Sequence, residues 1–219
     1  MKPEVLQLFS TPVVRFKFEQ HEKYVDKFDN WERVDRKPIS WSTPLNTSFP
    51  NVLPTDPYVD SKITDSLKDD IMFQLKKVMK DLRMPMNIFY QCFWYNAYYE
   101  GQGQEPHNHL SLDRHDPLWS GIYFAKNCHP GGLVFCRTEY SHRTQQWFDW
   151  NKSKLREYYE EIKPMDFETG EIVLFPPHLH HAVKVDEKNR DEQRLTFSFN
   201  IDSVASMNFR REHLKPGEV

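Results

Sequence analysis

The chain has 219 residues, with 29 Lys and Arg against 32 Asp and Glu, a formal charge of -3, 38% hydrophobic residues and 15% aromatic ones. Acids and bases are interspersed, so there is no basic stripe for nucleic acid, no polybasic membrane patch and no apolar run long enough for a membrane span or an export signal. A chain of this size fits one domain over residues 1–219, and three cysteines without CxxC spacing (Cys92, Cys128, Cys136) fit a reducing compartment, so a cytoplasmic location is expected.

In chain order, Val13, Phe16 and Phe18 predict an edge strand begun after Pro12. From residue 21 to about 60 the prolines Pro38, Pro44, Pro50, Pro54 and Pro57 predict ordered loop or extended chain with little helix. Ile63, Leu67, Ile71, Leu75, Val78 and Leu82 then recur every three or four residues, which predicts an amphipathic helix over 61–83, capped by Asp60 or Ser61. After Pro85 an aromatic run predicts a long strand ended by Gly101 and Gly103, and Trp119–Lys126 and Gly132–Arg137 predict two more. Residues 138–167 break this rhythm. They read as an insertion or lid, with Trp147, Phe148, Trp150, Tyr158 and Tyr159 available to cover a site.

The densest signals lie between Thr169 and Asp202. Glu171–Phe175 is a β-favouring run between Gly170 and Pro176, and His181–Val185 alternates. From Arg194 the chain alternates strictly, with Leu195, Phe197, Phe199 and Ile201 apolar and Arg194, Thr196, Ser198 and Asn200 polar. An arginine beside hydroxyls near a histidine cluster suits a carboxylate ligand, because its planar fork binds both oxygens. Many short strands with one helix block near the front predict a mainly β fold, a double-sheet jelly roll with a flanking N-terminal helix and a ligand in its mouth.

Histidine spacing points to a metal. His107 and His109, one residue apart, face the same side of an extended segment, and His181 supplies a third ligand, which leaves open positions on the ion. His178 and His180 fit surface or supporting positions better than ligand positions. His21, His115, His129, His142 and His213 carry no spacing argument.

The motifs HNH at 107–109, SGIYF at 120–124, GEIVLFPPHLHHAV at 170–183 and RLTFSFN at 194–200, with LFSTPV at 8–13, resemble the 2-oxoglutarate and Fe(II)-dependent oxygenases. The closest likeness is to an uncharacterised phage and bacterial branch related to prolyl hydroxylases. That resemblance implies a double-stranded β-helix, Fe(II) and 2-oxoglutarate as cofactors, and hydroxylation of a prolyl, other peptidyl or small-molecule substrate. It implies His107 and His181 as iron ligands, Arg194 as the group that grips the distal carboxylate of 2-oxoglutarate, and Thr196 as its helper. Tyr123, Tyr98 and Asn96, on strands expected to line the cavity, are further cofactor-binding candidates. The family's usual carboxylate ligand is replaced here by His109. Three outcomes stay open: three histidines hold the iron, Asp113 or Asp116 supplies the carboxylate, or the chemistry has been lost. His109 is favoured, since Asp113 sits in an irregular segment without a spacing argument.

Two other classes compete. A three-histidine zinc site would give a hydrolase or lyase, but Asp113 falls at the wrong offset for an HxHxDH motif, and Arg194 and Thr196 would then have no task. A non-catalytic jelly-roll binding module would leave the histidines incidental.

Overall fold

The computed structural model describes residues 11–29, 31, 46–48, 61–99, 102–110, 116–127, 132–136, 162–184, 193–205 and 208. Its elements are β1 (Val14–Lys17), α1 (Val25–Asp29), β2 (Asn46–Thr47), α2 (Ser61–Asp81), β3 (Ile88–Tyr98), β4 (Gly103–His107), β5 (Trp119–Lys126), β6 (Leu133–Cys136), β7 (Ile162–Met165), β8 (Glu171–Phe175), β9 (His180–Lys184) and β10 (Arg194–Ser203). Two antiparallel sheets result, a six-stranded one in the order β1-β8-β5-β10-β3-β2 and a four-stranded one in the order β4-β9-β6-β7. This is the expected double-sheet jelly roll.

The alternation along β10 divides the apolar interior in two. Leu195, Phe197, Phe199 and Ile201 face a core shared with α1 and α2, where Leu67, Ile71, Leu75 and Met79 are fully buried. Each such burial contributes about 1.5–3 kcal/mol as an upper estimate. The helix matches its predicted span, but its buried stripe runs through Met79, and Leu82 at its end is exposed. The other core lies between the sheets and is lined by Tyr98, Ile122, Phe124, Val173 and Phe175 from the larger sheet and Leu133, Phe135 and Val183 from the smaller. Gly121 belongs to the helix side. It pairs with Phe199, whose ring would lie 2.3 Å from a Cβ there, so only glycine lets that ring lie flat on the strand.

Three expectations are corrected here. Gly103 opens β4 rather than ending a strand, and the chain after residue 20 forms a 3-10 turn at 21–23 and the short helix α1, with Phe28 buried beneath it. The segment expected as an insertion over 138–167 ends in structure. Residues 162–165 form β7, paired with β6, and the Phe167 ring stacks on Phe124 at 4.8 Å. Ordinary strand pairing claimed these residues because β6 offers β7 a free edge. Trp147, Phe148, Trp150, Tyr158 and Tyr159 lie outside the described residues.

At the edge of the larger sheet Glu171 is buried and clasped by Arg15, with Nε donating to Oε1 at 2.9 Å and Nη2 2.7 Å from Oε2, while the Glu168 N–H donates to Oε2 at 2.7 Å. Burial alone would raise this carboxyl, but Arg15 and the backbone N–H outweigh it and hold the group below the usual carboxylate range. A depressed folded-state value makes the contribution complete above the unfolded value of about 4.3 and removes it as pH falls through the folded value. Glu171→Gln should therefore cost about 1–2 kcal/mol at pH 7, and urea midpoints should show the gap to the parent closing well below pH 4.

Candidate active site

Three imidazoles meet between the sheets. His107 at the end of β4 is the direct cross-strand partner of His181 on β9, which in turn pairs with Phe135 on β6. His109 follows just beyond β4, its backbone N–H held by the Pro177 carbonyl at 2.9 Å. One ring nitrogen from each of the three lies within 4.8 Å of the others. Ring centroids are 4.3 Å apart for His107 and His181, 4.9 Å for His109 and His181, and 5.5 Å for His107 and His109. Trp94 and Phe175 wall the cluster at 5.6 and 6.0 Å from the His109 ring.

The hydrogen bonds settle which nitrogens are available. The His107 Nδ1 is 2.8 Å from the Glu105 carbonyl, the His181 Nδ1 is 3.1 Å from the Leu179 carbonyl, and the His109 Nδ1 is 2.8 Å from Asn200 Oδ1. A carbonyl oxygen cannot donate, so each Nδ1 carries the hydrogen and each Nε2 keeps its lone pair. Burial pushes all three rings away from protonation, and mutual repulsion adds to it for His109 and His181. His109 is pushed down to about 4, and His181 lies well below its ordinary value. Three neutral imidazoles with one ring nitrogen each within 4.8 Å of the others fit a divalent transition ion, and the donor set leaves room for further ligands.

The second feature is Arg194, a guanidinium inside the sandwich. It is 1% exposed, lies over the rings of Tyr98 at 5.1 Å and Phe124 at 5.5 Å, and donates from Nε to Asn127 Oδ1 at 3.0 Å. Tyr98 is fully enclosed, its hydroxyl donates to Gln104 Oε1 at 3.1 Å, and burial raises its pKa to about 12, so it stays a neutral donor. Thr196 and Asn96 face the same interior. They are cross-strand partners, and the Thr196 hydroxyl donates to the Asn96 carbonyl at 3.4 Å. Arg194, Thr196, Ser198 and Asn200 thus form one polar row from the guanidinium to the histidines.

Tyr123 is a correction. Its neighbours Ile122 and Phe124 face the space between the sheets, so Tyr123 must face the helix side, where it packs on Phe18, Phe28 and Phe197 and its hydroxyl lies 2.7 Å from His21 Nδ1. It does not reach the interior. Asp116 is exposed and stands outside the histidine cluster, while Asp113 falls outside the described residues. His178 is exposed, and His180 points away from the cluster with Nε2 3.1 Å from Asn108 Nδ2, as expected for supporting positions. Sequence reasoning missed Asn127, Ser120 and Asn200, which touch Arg194 and His109. Only Asn200 carried a signal, as the next member of the polar row.

Fold and site together define a double-stranded β-helix with a candidate histidine metal centre and a buried arginine on one interior face. Residues 92–200 match the family described as "Putative 2OG-Fe(II) oxygenase". Among solved structures, the chain is similar to a Pseudomonas putida prolyl-4-hydroxylase (12% identity, TM-score 0.52, covering 89% of this chain and 94% of that one). It is also similar to a Burkholderia pseudomallei oxidoreductase of the 2OG-Fe(II) oxygenase family (10%, 0.55, 87% and 84%) and to HygX from Streptomyces hygroscopicus with nickel and 2-oxoglutarate bound (11%, 0.51, 89% and 83%). At these identities the likeness is one of fold. No curated protein matches the chain in sequence. The chain is a member of the 2-oxoglutarate and Fe(II)-dependent oxygenase superfamily.

The placement of Tyr123 has a measurable consequence. Tyr123→Phe should lower stability by about 1 kcal/mol through the lost bond to His21 and leave Co(II) affinity unchanged. Denaturant midpoints and a metal titration of the same variant separate the two effects.

Proposed function

We propose that this protein is a non-haem Fe(II) and 2-oxoglutarate-dependent hydroxylase in which His107, His109 and His181 hold the metal and Arg194 holds the distal carboxylate of 2-oxoglutarate. The observation that carries the reading is the convergence of three lone-pair-bearing imidazoles on the interior face that also holds Arg194. The bound iron and cosubstrate would supply oxidative decarboxylation coupled to oxygen insertion into a substrate C–H bond. The protein's own residues do the rest. Tyr98 and Phe124 hold the guanidinium plane and Asn127 fixes its rotation through Nε, so that the planar fork is set in an orientation that suits a carboxylate. Thr196 and Tyr98 border that position with hydroxyls, while Asn96 shapes the interior through its bond to Thr196. Trp94, Phe135 and Phe175 pack against the His109 and His181 rings and limit the water that reaches them.

His109 stands in for the usual carboxylate, and among the described residues no acidic group joins the cluster. The substrate class to test first is a prolyl or other peptidyl residue, a choice that rests on the fold likeness and the sequence resemblance to prolyl hydroxylases. No helix among the described residues is long and apolar enough to cross a membrane.

Ligand linkage tests the assignment. With Mn(II) present under argon, 2-oxoglutarate at 100-fold its dissociation constant adds about 2.7 kcal/mol, or roughly 5–10 °C in Tm for a chain of this size. Arg194→Lys should lose most of that shift, because an ammonium cannot replace the stacked fork. Equal shifts in parent and variant would remove Arg194 from the cofactor site, and no shift in the parent would remove 2-oxoglutarate.

A further inference from the structure

We infer that Ser120 and Asn200 form a positioning clamp that holds His109 as an imidazole ligand, so that this metal centre is built for three neutral nitrogens. The inference rests on the reading of His107, His109 and His181 as ligands and goes beyond it by naming what keeps the third in place.

The three histidines are oriented in two ways. His107 and His181 each direct Nδ1 at the carbonyl two residues earlier on their own segment, Glu105 and Leu179, so local backbone geometry sets their rings. His109 has left β4 and has no such partner. Its Nδ1 crosses the interior to the larger sheet and lies 2.8 Å from both Ser120 Oγ and Asn200 Oδ1. Those residues are cross-strand partners on β5 and β10, and the Ser120 hydroxyl donates to Asn200 Oδ1 at 2.8 Å. The amide oxygen therefore takes two hydrogens, one from Ser120 and one from His109, and cannot donate in return. Nδ1–H is fixed, and Nε2 is left for the ion.

The same arrangement disfavours an acid at position 109. A carboxylate oxygen turned toward Asn200 Oδ1 would set acceptor against acceptor in a water-poor interior, whereas an imidazole satisfies that oxygen. Ser120 and Asn200 are positioning residues, since neither reaches the ion position except through the His109 ring. Partners of this kind tune a ligand's orientation and basicity, and their loss commonly weakens metal binding 10–100-fold.

The test uses the full chain loaded with Co(II) in place of iron. Coordination through Nε2 leaves each ligand a paramagnetically shifted, solvent-exchangeable Nδ1–H proton resonance. The parent should show three. Asn200→Ala should move or lose one of the three, leave the other two in place and weaken Co(II) binding roughly 10–100-fold. Asn200→Asp keeps the acceptor and should restore both the resonance and the affinity. Denaturant unfolding of the metal-free variants shows that each is folded, and Ser120→Ala, which removes a single oxygen, should broaden the same resonance through faster exchange if Asn200→Ala does not fold. Three unchanged resonances with unchanged affinity in the Asn200 and Ser120 variants would overturn the clamp and leave the ligand assignment standing. Two resonances in the parent would overturn the three-histidine assignment itself.

Discussion

The period of two along β10 is the constraint on which the rest depends. The strand lies between β3 and β5 in the larger sheet, so both its edges are paired and its register is fixed on two sides. A slip of one residue would exchange its faces. Leu195, Phe197, Phe199 and Ile201 would then fill the space between the sheets, and Arg194 would be driven into the core under α2. The cost of burying an unmatched guanidinium and of emptying an aromatic core makes that alternative inaccessible. The polar row reaches the imidazoles through Asn200 and ends at the guanidinium. One strand thus carries both Asn200, against the His109 ring, and the enclosed guanidinium of Arg194.

Charge shapes the centre under the three-imidazole reading. Three neutral nitrogens leave a divalent ion its full charge, where two histidines and one carboxylate would cancel half of it. A doubly charged oxo-diacid would then neutralise the ion and its ligands as a unit, with Arg194 added as a further cation at the distal end. Burial of the imidazoles among Trp94, Phe135 and Phe175 keeps them unprotonated and strengthens every Coulomb term that the ligand meets.

Much of this was legible from the residues alone. The alternation of β10, the run at β8 and the one-residue gap between His107 and His109 are local patterns, and β8 and β10 formed where those patterns put them. Tyr123 was misplaced for a physical reason. Residues 119–125 are buried on both faces, so the strand shows no alternation from which its inward side could be read. Asn127, Ser120 and Asn200 were missed because their meaning comes from contacts 67, 11 and 91 residues away in the chain. β7 was hidden within a polar stretch, where only the free edge of β6 recruits it.

The most direct test is an anaerobic titration of metal-free protein with Fe(II) and then 2-oxoglutarate, followed by visible absorption. Chelation of the 2-oxo acid to iron gives a weak metal-to-ligand charge-transfer band. The account predicts such a band in the parent, its loss when His181 is replaced by Ala, and a weaker apparent affinity when Arg194 is replaced by Lys. Iron bound at full stoichiometry with no band on saturation with 2-oxoglutarate would contradict it.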